Sequence, residues 1–334
     1  MSDPTVSGVD LLHDEAAAAL AARARWRWPE FAFWAAAAAS FFLLPEQYLL
    51  LNEAAIIGLF ALSLDLVLGY AGIISLGHAA FFGAGAYTAG ILAKAGYGDP
   101  LLGLVAAAAV AGGLGFVTSF LVLRGSDLTR LMVTLSVSLV LFELANRLVW
   151  LTGGADGLQG MAVGPLLGWF EFDIFGRVAY GYSLAVLFAL FLVARRVMGS
   201  PFGLSVRAVK GNALRAAAIG VPVHARLVAI YTLAAGYAGV AGGLLAETTQ
   251  FVSLDVIAFH RSADVMLTLV LGGVGYLYGG LLGALVFKLA QGWLSDLTPE
   301  YWQFWIGLVF VLMVVAGRER VFAWPLRLFG RERR

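Results

Sequence analysis

A chain of 334 residues that is 61% hydrophobic and 13% charged, with a mean hydropathy of +0.86, has too few charges to coat a water-soluble globule, since soluble domains carry about a quarter charged residues. A net charge of +1 excludes nucleic acid as an electrostatic partner, and the absence of cysteine excludes disulfides and thiolate metal sites. Charge-free stretches of the length that a bilayer core of about 30 Å demands recur along the chain, so an all-α membrane protein is expected, a polytopic helical bundle of about 8–10 transmembrane segments with glycine-broken or re-entrant helices.

Residues 1–30 read as an N-terminal cytoplasmic segment. Asp3, Asp10, Asp14 and Glu15 precede any basic residue, the reverse of a secretory signal peptide. From Glu15 to Trp28, arginine and tryptophan interleave in a helix-forming stretch that suits the surface of membrane lipids. The transmembrane domain then covers 31–316, with candidate spans at 31–45, 50–69, 73–93, 101–123, 131–151, 179–194, 227–246, 265–290 and 301–316, followed by a basic tail at 317–334. The loop 195–226 holds Arg195, Arg196, Arg207, Lys210, Arg215 and Arg226 and no acid, which makes it cytoplasmic by the positive-inside rule. Both termini read as cytoplasmic too, whereas 152–178, with Asp156, Glu171 and Asp173 against Arg177, and 291–300, with Asp296 and Glu300, read as external. Alternation then fails unless 265–290 enters and returns to the same face, as a re-entrant hairpin or as two short spans.

The segment supplies a break for that return. Residues 271–280 (Leu-Gly-Gly-Val-Gly-Tyr-Leu-Tyr-Gly-Gly) contain five glycines, and glycine weakens a helix by about 1 kcal/mol relative to alanine. Non-helical backbone at membrane depth survives only beneath protein or beside a water-filled cavity. A second glycine-interrupted stretch runs from Gly69 to Gly90. Two such segments, one per half, point to a solute path, with close packing through small residues as the compatible alternative.

Chemistry within the chain is excluded where its residues are missing. Lys94, Lys210 and Lys288 follow Ala, Val and Phe, so no glycine–lysine pair forms a phosphate-binding loop, and ATP hydrolysis belongs to another polypeptide. No catalytic or metal site is expected, and the chain needs no cofactor of its own. His260 and Asp264 read as a water-facing surface pair rather than a metal site, and Glu143 with Arg147 as an ion pair across one helix turn. His78, with no charged residue within ten positions, either lines the solute path or sits as a neutral imidazole bonded to another helix. Asp65 and Glu53 pose the same choice nearer an interface. In the cytoplasmic loop, 205–220 reads as helix, a Gly211-Asn212 interruption and helix, with Gly220 as a stop signal and Ala216, Ala217 and Ala218 small enough for close approach. It either seats in a partner's groove or binds anionic lipid.

Gly69-Tyr-Ala-Gly-Ile-Ile-Ser-Leu-Gly-His-Ala-Ala-Phe-Phe-Gly-Ala-Gly-Ala-Tyr87 closely resembles the signature of branched-chain amino-acid ABC permeases of the LivM type. Thr152–Leu158, Ser200–Gly220 and Val270–Gly283 match in the expected order, and the likeness runs from about 50 to 316. The resemblance implies pairing with a homologous second permease subunit, two ATP-binding subunits and a periplasmic solute-binding protein, in the bacterial inner membrane. It makes 205–220 the loop that couples to an ATPase, with Arg207, Lys210, Arg215, Ala216, Ala217 and Gly220 as coupling residues. Ser75, His78, Phe82 and Tyr87, with Gly272, Gly273 and Gly275, are the expected path or gate residues. Two departures stand out. Ala217 replaces a usual glutamate of the coupling loop, and Ile73 replaces a frequent glutamine, leaving branched-chain amino acids, amides, urea and aromatic acids all open as solutes. An ion-coupled carrier or channel without an ATPase is the rival reading, with Asp65 or Asp264 as its ion-binding acids.

Overall fold

The computed structural model describes residues 28–301, 303–308 and 311. The interfacial helix expected from Glu15 and the basic tail at 317–334 therefore lie, but for Trp28, outside the described residues. Helix dominates the rest: α1 (Trp28–Leu43), α2 (Tyr48–Asp65), α3 (Ala79–Lys94), α4 (Pro100–Val122), α5 (Asp127–Arg147), α6 (Arg177–Gly199), α7 (Pro201–Gly211), α8 (Ala213–Ala218), α9 (Val223–Thr249), α10 (Phe259–Gly272) and α11 (Leu277–Leu297). Among the described residues six helical stretches are long and apolar enough to cross a membrane, namely 45–70, α4, α5, α6, α9 and α11. This is an all-α polytopic membrane protein.

Burial sorts these spans. In the most apolar part of the stretch containing α2, 83% of residues are buried, and in α9 78%, against 17% in α5 and 33% in α4 and α11. Helices apolar on every side sit at the centre, and those that keep bare apolar faces meet lipid. Glycine lets the central helices approach. A Cβ on Gly85 would strike the Gly239 backbone, and one on Gly242 would come within 2.9 Å of Ala86 N and run into the Phe82 carbonyl. Part of the Gly69–Gly90 pattern thus serves helix packing.

The structure departs from the expected span at 73–93. Helix α3 begins only at Ala79, and 71–78 is irregular. Here α2 runs into a π-helical turn, Leu66–Tyr70, and Gly72 turns the chain at φ +74°. Neighbouring helices satisfy the freed backbone: Leu76 N–H donates to Thr134 Oγ1 of α5 at 3.2 Å, and Ala79 N–H to Ser262 Oγ of α10 at 2.9 Å. Without such partners a non-helical backbone would be untenable inside a membrane.

The break expected within 271–280 falls at 273–276, where Gly273 has φ +120° and Gly275 φ +85°. Two helices result rather than one, folded back on each other as an antiparallel hairpin. Gly272 of α10 lies against Gly279 and Gly283 of α11 so closely that any Cβ there would overlap the Gly279 carbonyl.

Candidate functional site at the two helix breaks

The two breaks, far apart in sequence, meet at the foot of α2. Gly275 N–H donates to Asp65 Oδ1 at 2.6 Å. Asp65 is fully buried. A Cβ on Gly69 would lie 2.6 Å from Gly275 N and 2.7 Å from Asp65 Cγ, so the π turn and the second break touch backbone to backbone. Asp65, one of the rival reading's ion-binding acids, is thus committed through one oxygen to an amide of the second break.

The cytoplasmic loop reaches the same place. Lys210 Nζ donates to the Gly69 carbonyl at 2.5 Å, and the Arg207 guanidinium lies over the Tyr70 ring, 4.9 Å from its centroid. The expected coupling residues therefore divide. Arg207 and Lys210, though exposed, contact the membrane domain, and Ala216 is buried. Arg215, Ala217 and Gly220 are exposed, as are Leu214 at 83% and Ile219 at 78%, two large apolar residues the sequence reading passed over. The Gly211-Asn212 interruption appears as expected, with Asn212 Oδ1 accepting from Arg215 N–H at 2.9 Å to start α8.

Of the expected path residues, Ser75, His78, Phe82 and Tyr87 are all buried. His78 bonds to another helix, with Nε2 2.9 Å from Ser63 Oγ of α2. Ser63 already gives its one proton to the Phe60 carbonyl at 2.6 Å, so His78 Nε2–H is the donor. Its ring stacks on Phe60 at 5.6 Å. Gly272, Gly273 and Gly275 form the hairpin bend just described.

Phe82 lines a cavity. That space, about 50 Å³, lies between α2, α3, α10 and α11. Phe60, Phe82, Val265 and Phe287 line it together with Arg261, Asp264, Lys288 and Gln291. The charges around it are mostly matched: Lys288 donates to Glu53 at 2.7 Å, and Asp255 accepts from Arg261 at 2.9 Å and from His260 at 2.8 Å. His260 therefore pairs with Asp255 and not with Asp264, because the turn before α10 brings Asp255 to it. Asp264 makes no ion pair among the described residues, and Gln291 Oε1 is buried without a hydrogen-bond partner among them. Two acceptors without donors thus stand beside two cations over an aromatic floor. The α10–α11 hairpin assembles them, with Arg261 and Asp264 on α10 and Lys288 and Gln291 on α11. Glu143 and Arg147 pair at 2.6 Å on the surface of α5, as expected.

Broken helices packed round a buried junction, with a basic loop anchored beneath them, define a polytopic membrane protein of the permease class. The chain belongs to the family described as the branched-chain amino acid transport system permease component, which it matches over residues 48–314. It is 31% identical to the high-affinity branched-chain amino acid transport system permease protein LivM of Salmonella typhimurium and 30% identical to that of Escherichia coli, in each case over 76% of this chain and 64% of the relative. It is 28% identical to the L-arabinose ABC transporter permease protein AraH of Azospirillum brasilense, over 66% of this chain and 65% of the relative. The match therefore spans a little under two thirds of the LivM proteins' length. No solved structure matches the chain.

Proposed function

We propose that this chain is the transmembrane permease subunit of an ABC importer in the bacterial inner membrane. It moves branched-chain amino acids or similar small polar or amphipathic solutes, powered by ATP that two partner subunits bind and hydrolyse. A homologous permease subunit completes the pathway, and a periplasmic binding protein delivers the solute. The domain division follows: residues 31–316 form the permease, 195–226 the cytoplasmic coupling loop, and 1–30 and 317–334 cytoplasmic ends. Family membership and the LivM relatives support this reading.

The observation that carries it is the two-sided loop. Leu214 and Ile219 stand exposed on one side of α7 and α8, while Lys210 and Arg207 hold the other side to the α2 break. Exposed apolar side chains on a polar loop support a docking role for it. A loop that served only to bind anionic lipid would leave its arginines and lysine free for headgroups, yet Arg207 and Lys210, though exposed, are engaged with Tyr70 and the Gly69 carbonyl.

The cavity at Arg261, Asp264, Lys288 and Gln291 supports a solute with both charges. Asp264 and Gln291 offer acceptors to an ammonium or amide N–H, Arg261 and Lys288 offer donors to a carboxylate, and Phe60, Phe82 and Phe287 receive an apolar side chain. At about 50 Å³ the space admits water but not an amino acid, so this arrangement is closed and must widen during transport.

Reconstitution tests the proposal. With the sister permease, the ATPase subunits and the binding protein in proteoliposomes, solute uptake should require ATP, and Leu214→Asp should weaken ATPase binding tenfold or more. Uptake driven by an ion gradient through this chain without any ATPase would refute it.

A further inference from the structure

The junction at the foot of α2 has more connections than a packing contact requires. Three segments that no local sequence signal links are tied there by two polar bonds. Lys210 of α7 holds the Gly69 carbonyl, within the π turn that ends α2. Four residues earlier, at the last residue of α2, Asp65 holds the Gly275 amide in the middle of the second break. The Lys210 bond has a charged donor, which makes it one of the stronger class of hydrogen bonds. Around them the fit is tight: a Cβ on Gly72 would sit 3.0 Å from Lys210 Cγ, and one on Gly275 would lie 3.6 Å from the Gly69 carbonyl. Irregular turns inside helices are also where a helix bends at least cost, since their ladder bonds are already interrupted.

We infer that Lys210 and Asp65 are positioning residues that join the cytoplasmic loop to both helix breaks, so that the breaks before α3 and between α10 and α11 move together when α7 is displaced. The inference rests on the importer reading for what displaces α7, but the linkage itself belongs to this chain alone. It accounts for four otherwise unconnected features: an inward-facing lysine on an exposed loop, a buried aspartate, a π turn, and an amide in a glycine break that needs an acceptor. Either bond alone would leave one break free of the loop. In series they make the loop a lever on both. The pull reaches α3 through 71–78, where Thr134 of α5 holds Leu76, and Ser262 of α10 holds Ala79 at the start of α3. It reaches the α10–α11 hairpin through Gly275. These are the elements that enclose the closed cavity at Asp264 and Gln291.

Two measurements test this. The first uses the purified full chain in detergent, with no partner, and reads amide hydrogen exchange by mass spectrometry. Lys210→Met keeps the stem of an exposed residue and removes only the donor. It should raise exchange at 66–78 and also at 273–277, with which Lys210 makes no hydrogen bond. Asp65→Leu should do the same, while Asp65→Asn, whose amide oxygen still accepts from Gly275, should stay near wild type. A response confined to 66–78 in Lys210→Met overturns the linkage, as does no response. The second uses the reconstituted transporter and reads solute moved per ATP hydrolysed. Lys210→Met should lower that ratio at least fivefold while the ATPase subunits remain bound, and Lys210→Met with Asp65→Leu should fall no further than the worse single variant. An unchanged ratio overturns the mechanical role. Should Asp65→Leu fail to fold, Lys210→Met and Asp65→Asn still decide, and failure of the wild-type chain to bind an ATPase would sink the importer reading while leaving the exchange result intact.

Discussion

Replacing Gly272 with alanine tests the closeness of the α10–α11 hairpin most directly. The added Cβ would overlap the Gly279 carbonyl and lie 2.6 Å from Gly283 N and 2.7 Å from the Gly279 carbonyl carbon. All three are backbone atoms, so no rotamer change relieves the clash and the helices must separate. Overpacking of this kind costs about 1–3 kcal/mol. Gly113→Ala in α4 is the control, since nothing lies within 4 Å of its Cβ. There the change should stabilise, by up to about 1 kcal/mol of helix propensity. The two variants should thus differ by roughly 1–4 kcal/mol, Gly272→Ala falling below wild type and Gly113→Ala at or above it. Thermal unfolding in detergent, followed by near-UV circular dichroism, should place Gly272→Ala several degrees below wild type and Gly113→Ala at or above it. If Gly272→Ala melts with wild type, the hairpin is not packed backbone to backbone and the account of the second break is wrong.

Two further expectations concern buried polar pairs. Ser63→Ala removes the acceptor for His78 Nε2–H in a site closed to solvent, and stranding a buried donor costs about 1–3 kcal/mol; chemical unfolding should show that loss, whereas little change would mean His78 finds another acceptor. Tyr182→Phe takes from Glu247, 3% exposed, the hydroxyl that donates to it at 3.0 Å. A destabilisation of similar size is expected, and Glu247→Leu added to Tyr182→Phe should recover part of it, because an apolar pair leaves no stranded acceptor. Full stability of Tyr182→Phe alone would mean that Glu247 does not depend on that bond.

How far the sequence reaches can be judged at particular residues. The break at 273–276 was legible because glycine density is a local property, and so was the surface pair Glu143–Arg147, whose spacing places both on one helix face. The helix–interruption–helix pattern of 205–220 was legible for the same reason. The orientation of Lys210 and Arg207 was not: charge in a loop signals water, and nothing local says that Gly69 and Tyr70 stand within reach. His260 was assigned the wrong acid because helical spacing favours Asp264, while a turn outside the helix delivers Asp255. Asp264, Gln291 and Lys288 came together only through the hairpin, and Glu247 met Tyr182 only because α6 and α9 approach each other in the fold.

Composition and the distribution of charge by themselves determined that this chain lives in a membrane, because burial in lipid acts on every residue of a span and leaves its mark in the average. Glycine content likewise determined where helices weaken. Which acid faces which amide, and which lysine turns inward, was decided only by tertiary structure. A hydrogen bond between Asp65 and Gly275, 210 residues apart, is a matter of a few tenths of an ångström in a packed interior, and no periodicity in a one-dimensional string encodes that distance.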